Sequence, residues 1–98
     1  MGRIVKTKNI IYQKWDGLMH ELGVLKNAIK TVTNTAKTHG IKRIKFITLE
    51  IGSDSTFVPL FLEKLFPVAI DGLELFKNAQ LKLQLVPGKG LVIKEIGY

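Results

Sequence analysis

The 98-residue sequence predicts one small α+β domain in which two helices pack on one face of a three-stranded sheet, in the order α-β-α-β-β. Two segments carry apolar residues at spacings of three and four, which is typical of helices with one buried face. A third segment alternates strictly between apolar and polar residues, as a strand with one buried face does. A chain of this length supports a single hydrophobic core, so we expect no second folded domain.

The first helix is predicted from Glu21 to about Thr38, because its apolar residues fall on one face. Those residues are Leu25, Ala28, Ile29, Val32 and Ala36. The helix should end at His39 and Gly40, since glycine adopts the left-handed conformation at low cost and histidine interacts favourably with the negative end of the helix dipole.

A strand is predicted next, at 43–51, where β-branched and aromatic residues dominate. The second helix is predicted from about Val58 to Ile70, with Pro59 tolerated in its first turn. Pro67 removes a hydrogen bond inside that helix and crowds the carbonyl four residues earlier. We therefore expect a kink or an early break near Lys64.

Two further strands are predicted near the end of the chain. Residues 79–85 alternate between apolar and polar side chains, residues 86–90 contain the Pro and Gly residues of a turn, and residues 91–96 are again strand-like. A hairpin is the simplest connection, which predicts that these two strands are antiparallel neighbours.

Residues 1–18 are predicted to be an N-terminal extension of uncertain order, preceding a domain of residues 19–98. The extension contains four basic residues and one acidic residue, a disproportionate share of the net charge of +7. Because Tyr12 and Trp15 lie among the basic residues, one interpretation is an arm that stacks on bases and contacts the phosphates of a nucleic acid. This is the least favoured of the functional hypotheses.

Several classes of site are excluded by composition and motif. The absence of cysteine excludes disulfides, thiolate zinc sites and cysteine nucleophiles. The sequence has no Gly-x-Ser-x-Gly elbow, and residues 87–90 lack the glycine spacing and the following helix of a phosphate-binding loop. No apolar stretch is long enough to span a bilayer. We therefore expect a cytoplasmic protein with no membrane partner, and nucleophilic catalysis has little support.

The two histidines, His20 and His39, do not lie at metal-ligand spacing on one element. His39 is explained by its place at a helix end. His20 is followed by Glu21 at a helix start, where a carboxylate also suits the positive end of the helix dipole. Spacing alone therefore does not distinguish a metal site from an ordinary helix start.

Several ordered blocks together resemble the HypA family of nickel metallochaperones, which deliver nickel for the maturation of hydrogenase and sometimes urease. The blocks are Met19-His-Glu-Leu22, His39-Gly-Ile-Lys-Arg-Ile44, Thr48-Leu-Glu-Ile-Gly52, Val58-Pro59, and the segment from Ala79 through Pro87-Gly88. The resemblance covers residues 19–98 and implies a HypA-like nickel-binding domain that is not an enzyme.

The resemblance implies a nickel(II) site at Met19, His20 and Glu21, built from the nitrogen and oxygen donors that nickel favours. It also implies a precursor of a nickel enzyme (the hydrogenase large subunit) and a maturation GTPase as partners, with a homodimer left open. No structural zinc is expected, because the family's insertion with two Cys-x-x-Cys pairs is missing.

Two other departures from the family pattern bear on function. Eighteen residues precede Met19 and would convert its terminal amine into an amide. Either they are cleaved or belong to a mis-assigned start, or the site binds nickel weakly through His20 and its neighbours. Leu60 stands where the family often has an acidic residue after Val-Pro. A degenerate HypA-like protein-interaction module without metal transfer is therefore the alternative hypothesis.

Overall fold

The computed structural model describes residues 2–12 and 21–98. Its elements in chain order are the strand β1 (Ile4–Tyr12), the helix α1 (Glu21–His39), the strand β2 (Phe46–Gly52), the helix α2 (Pro59–Ile70), a 3-10 turn (Glu74–Phe76), and the strands β3 (Gln80–Val86) and β4 (Leu91–Gly97). None of the helices in these ranges is long and apolar enough to cross a bilayer.

The sheet is mixed and has the strand order β1-β4-β2-β3. The strand β2 is parallel to β3 and antiparallel to β4, and β1 is antiparallel to β4. The α+β class is therefore confirmed, but the predicted count of three strands is wrong. The fourth strand, β1, comes from the N-terminal segment, where Val5 and Ile11 pack against the core. Its partner strand is the last in the chain, so no local turn signal predicts the pairing.

The predicted hairpin between the last two strands is also wrong, because β3 and β4 lie on opposite sides of β2. Residues 87–90 connect them across the end of β2, where the Gly52 N–H donates to the carbonyl oxygen of Gly90 at 2.8 Å. A Cβ at Gly52 would lie 2.3 Å from the carbonyl oxygen of Gly88, so only glycine permits this crossing. Two strands joined by a short turn have the same sequence pattern whether they pair with each other in a hairpin or lie on opposite sides of a third strand. The sequence therefore does not distinguish the two arrangements.

The core lies between the two helices and one face of the sheet. Alternate residues of β2, namely Ile47, Leu49 and Ile51, meet the buried face of α1 and α2. The buried helix residues are Val24, Leu25, Ala28, Ile29, Val32, Ala36, Leu62, Phe66 and Ala69. Both helices therefore cover the same face of the sheet, as predicted.

On the opposite face of β2, the ring of Phe46 lies between β3 and β4. The Nζ atom of Lys82 is 3.8 Å from the ring centroid. On the other side, a Cβ at Gly97 would lie 1.9 Å from the ring. The missing side chain of Gly97 therefore provides the space that the ring occupies.

The end of α1 agrees with its prediction. Gly40 has a φ of 66°, and its N–H donates to the carbonyl of Lys37, while the Ile41 N–H donates to the carbonyl of Ala36. This is a Schellman motif, with the buried side chains of Ile41 and Ala36 supplying its apolar contact.

The break predicted in α2 near Lys64 does not occur, because the helix continues through Pro67 to Ile70. Pro67 is exposed and lies in the last turn. On the solvent side of a helix, water can bind the carbonyl that the proline leaves without an N–H partner. The helix α2 therefore tolerates Pro67, whereas a proline on the buried side of a helix would interrupt it.

Candidate metal site at the start of two helices

Glu21, the described member of the predicted metal site, is the first residue of α1. Its carboxylate oxygen Oε2 accepts a hydrogen bond from the backbone N–H of Val58 at 3.2 Å. Val58 is the N-cap residue of α2. The hydrogen bond therefore joins the starts of the two helices, although the two residues are 37 positions apart.

The carboxylate of Glu21 supplies what the start of α2 lacks. Val58 has no side-chain oxygen to cap its helix, and the first turn of α2 contains no acidic residue. A negative charge near the N-terminus of a helix is stabilising, because it interacts with the positive end of the helix dipole. Glu21 occupies this position for α1 and lies against the N-cap of α2 as well.

The position of Val58 is fixed by the loop that follows β2. The Ser53 N–H donates to the carbonyl of Val86 at 2.7 Å, and the Asp54 N–H donates to that of Gly88 at 2.8 Å. Phe57 is buried in the core. The connection between β3 and β4 thus holds the loop that brings α2 to Glu21.

Met19 and His20, the other two predicted ligands, lie outside the described residues. In the sequence they immediately precede Glu21. Glu21 is half-buried, and Oε1 has no hydrogen bond within ranges 2–12 and 21–98. A carboxylate held by one oxygen keeps the other for a cation.

The other acidic and histidine side chains do not form a second metal centre in the part of the chain that the structure describes. No group of three or more His, Cys, Asp or Glu residues is close enough there to hold an ion. His39 lies at the far end of α1, about 27 Å from Glu21 at the rise of an α-helix. Its Nδ1 is 2.9 Å from the carbonyl oxygen of Thr35, which agrees with its interpretation as a helix-end residue.

The helix α2, whose N-cap residue Val58 contacts Glu21, carries exposed apolar side chains that form its apolar surface. Val58, Leu60 and Phe61 are 40%, 53% and 50% exposed, and Val68 continues the apolar character along α2 at 59%. The sequence showed Leu60 only as a missing acidic residue. The high apolar content of α2 could have indicated these exposed residues. When a helix packs on a sheet through one face only, apolar residues on its other faces stay exposed.

The fold and the site define a small α+β binding domain whose candidate metal ligands precede and open its first helix. Residues 19–91 match the family described as hydrogenase/urease nickel incorporation, metallochaperone, HypA. The chain belongs to the HypA family. The description is one of metal incorporation, which agrees with the expectation that the chain is not an enzyme.

Individual relatives agree with the family match. The chain is 39% identical over 72 residues to the hydrogenase maturation factor HypA of Trichodesmium erythraeum, covering 74% of this chain and 60% of that protein. It is 35% identical over 69 residues to the HypA of Moorella thermoacetica, covering 70% and 60%. The chain thus spans about 60% of the length of these relatives.

A solved structure supports the fold. The solution structure of the Ni metallochaperone HypA from Helicobacter pylori superposes with a TM-score of 0.67 at 21% identity, covering 78% of this chain and 70% of that one. At this identity the likeness establishes the shared fold.

Proposed function

We propose that this chain is a nickel-binding accessory protein that carries Ni²⁺ to the precursor of a nickel enzyme, a hydrogenase large subunit, together with a maturation GTPase. Its site comprises Met19, His20 and Glu21. The single observation that supports the site most directly is the hydrogen bond from Val58 to Glu21. It fixes a carboxylate at the helix start, next to the histidine in sequence.

The donors are the His20 imidazole, backbone nitrogens of the Met19–Glu21 segment, and the Oε1 atom of Glu21. Nickel(II) accepts such nitrogen and oxygen donors in square-planar or tetragonal geometry without thiolate. Binding should be readily reversible, because a metallochaperone must release its ion to the client.

The apolar surface of α2 gives this proposal a docking face for the client. Val58 belongs both to that surface and to the hydrogen bond with Glu21. A client that covers Leu60 and Phe61 therefore approaches the metal-binding segment directly. Exposed apolar patches of this kind commonly mark protein–protein contacts.

Isothermal titration with nickel tests the site. The His20→Ala variant should bind nickel at least tenfold more weakly than the wild type, because it loses the one imidazole donor of the segment. His39→Ala is the matched control, since His39 lies at the other end of α1, and its affinity should equal that of the wild type. Equal affinity in all three proteins would refute the site assignment.

The alternative function is a HypA-like protein-interaction module that does not transfer metal. The exposed residues of α2 favour it as much as they favour the metallochaperone, because docking requires no ion. A flat nickel titration combined with binding to the client precursor that Phe61→Ser abolishes would establish this alternative.

Nucleic-acid binding by the N-terminal arm has little support. Lys6 and Lys8 lie in β1, and the Nζ atom of Lys8 is 3.7 Å from Oε1 of Glu50. Lys14 and Trp15 lie outside the described residues. The carboxylate of Glu50 offsets part of the positive charge that such an arm would offer to a phosphate.

A further inference from the structure

A basic cleft lies at the end of β2 opposite the metal site, where β2 and β3 begin. It has a volume of about 410 Å³ and is lined by Arg43, Ile44, Lys45, Phe46, Lys77, Asn78 and Gln80. Three of these residues are cationic, two have side-chain amides, and none is acidic. The cleft therefore offers hydrogen-bond donors and positive charge to a ligand.

The positive charge of this cleft is only partly balanced. Glu74 lies nearby and pairs with Arg43, with Nη2 of Arg43 and Oε1 of Glu74 3.1 Å apart. Within ranges 2–12 and 21–98, Lys45 and Lys77 form no ion pair. A concave site lined by one sign of charge concentrates ions of the opposite sign.

Backbone hydrogen bonds hold the cationic wall in place. The Lys45 N–H donates to the carbonyl of Gly97 at 2.7 Å, and the Lys45 carbonyl accepts from the N–H of Gln80 at 2.9 Å. The Ile44 N–H donates to the carbonyl of Leu75 at 2.8 Å, and the Ile44 side chain is fully buried. The backbone that carries these side chains is therefore ordered before a ligand arrives, which lowers part of the entropic cost of binding.

The opposite wall is a tight turn around Lys77. The Ala79 N–H donates to the carbonyl of Phe76 at 2.9 Å, and Asn78 has a φ of 63°. Phe76 is fully buried and anchors this turn in the core. Lys77 and Asn78 are thus presented from a fixed backbone and line the same cleft as Lys45.

The chemistry of the cleft favours an oxyanion over an aromatic ligand. The ring of Phe46 has Lys82 on one side and the backbone of Gly97 on the other. Neither face of the ring is open for a base to stack upon. Recognition therefore depends on charge and hydrogen bonding. The oxygens of a phosphate group carry negative charge and accept hydrogen bonds, so a phosphate fits both requirements.

We propose that this cleft binds a phosphate-bearing small molecule through Arg43, Lys45 and Lys77. The site is separate from the nickel site, because seven residues of β2 lie between the two ends of the strand. It would give the protein a second ligand in addition to the metal.

Amide-proton NMR titration tests this proposal, with inorganic phosphate and tripolyphosphate as separate probes at constant ionic strength. Saturable shifts should be confined to residues 43–46 and 77–80. Tighter binding of tripolyphosphate identifies a ligand with several phosphoryl groups, and equal binding identifies a single phosphoryl group. Both results support the site. Shifts spread evenly over the basic surface, or no shifts at all, would overturn it.

A matched pair of variants makes the test specific. Lys45→Gln with Lys77→Gln removes two exposed cations of the cleft and should weaken phosphate binding at least tenfold. Lys26→Gln with Lys30→Gln removes two exposed cations of α1 and should leave it within twofold of the wild type. Equal weakening by both pairs would show a general charge effect. Nickel titration of the same proteins separates this proposal from the metal site, because neither pair touches Glu21.

Discussion

The carboxylate of Glu21 should contribute measurably to stability, because it serves the starts of two helices. Glu21→Ala removes the hydrogen bond to the N–H of Val58 and the negative charge at the start of α1. A favourable charge at a helix N-terminus is worth about 0.3–1 kcal/mol, and a typical hydrogen bond about 0.5–1.5 kcal/mol. Because the site is partly exposed, we expect a total loss of about 1 kcal/mol.

The assay is thermal unfolding followed by circular dichroism. For a domain of this size, about 1 kcal/mol lowers the midpoint by roughly 4–8 °C. Glu21→Gln keeps a hydrogen-bond acceptor but loses the charge, so it should lie between Glu21→Ala and the wild type. Glu63→Ala is the control, because Glu63 is exposed and lies in the second turn of α2.

Two outcomes would refute the reasoning about Glu21. A Glu21→Ala midpoint equal to that of the wild type would show that the bond to Val58 contributes nothing. A midpoint lowered equally by Glu63→Ala would show that the loss reflects any change of charge on the helices. High salt should reduce the part of the effect that comes from the helix dipole, since exposed charges are screened.

Three further predictions concern packing, docking and protonation. Gly97→Ala should cost about 1–3 kcal/mol, because its Cβ overlaps the ring of Phe46, whereas Gly23→Ala meets nothing within 4 Å and should not lower the unfolding midpoint. Phe61→Ser should leave stability within about 0.5 kcal/mol, because the side chain is half exposed, yet weaken binding to the client precursor in a pull-down with purified protein; unchanged binding would contradict the docking face. Nickel affinity should fall between about pH 7.5 and pH 5, because protonation of the His20 imidazole competes with the metal, and a pH-independent affinity would exclude that ligand.

Local signals predicted the helices and strands well. The end of α1 follows from Gly40 alone, since the left-handed conformation and the Schellman hydrogen bonds involve only neighbouring residues. The apolar alternation of 79–85 similarly predicts the strand β3, although the predicted buried face is only half-buried at Leu81 and Leu83 and exposed at Leu85. These features depend on interactions within a few residues, which a sequence displays directly.

Apart from the break predicted at Pro67, the errors concern contacts between distant segments. The pairing of β1 with β4 joins Ile4 to Gly97, and no turn or period in either segment indicates it. In place of the predicted hairpin, the connection crosses the end of β2, and this crossing requires Gly52. The sequence shows that residue 52 is a glycine, but it does not show which atoms lie against it.

The candidate site was predicted through its resemblance to a family rather than through its spacing. The resemblance selected Met19, His20 and Glu21 together. It did not indicate that Glu21 would reach Val58, because that contact depends on how α1 and α2 pack. The sequence also marked Leu60 as a lost carboxylate, whereas the structure shows it as part of an exposed apolar surface.

Anomalous diffraction at the nickel absorption edge, from crystals of the nickel-loaded protein, tests the central claim most directly. The account predicts one strong peak at the N-terminus of α1, in contact with the imidazole of His20 and the carboxylate of Glu21. A peak at His39 alone, or no ordered nickel in protein that is otherwise well folded, would contradict it.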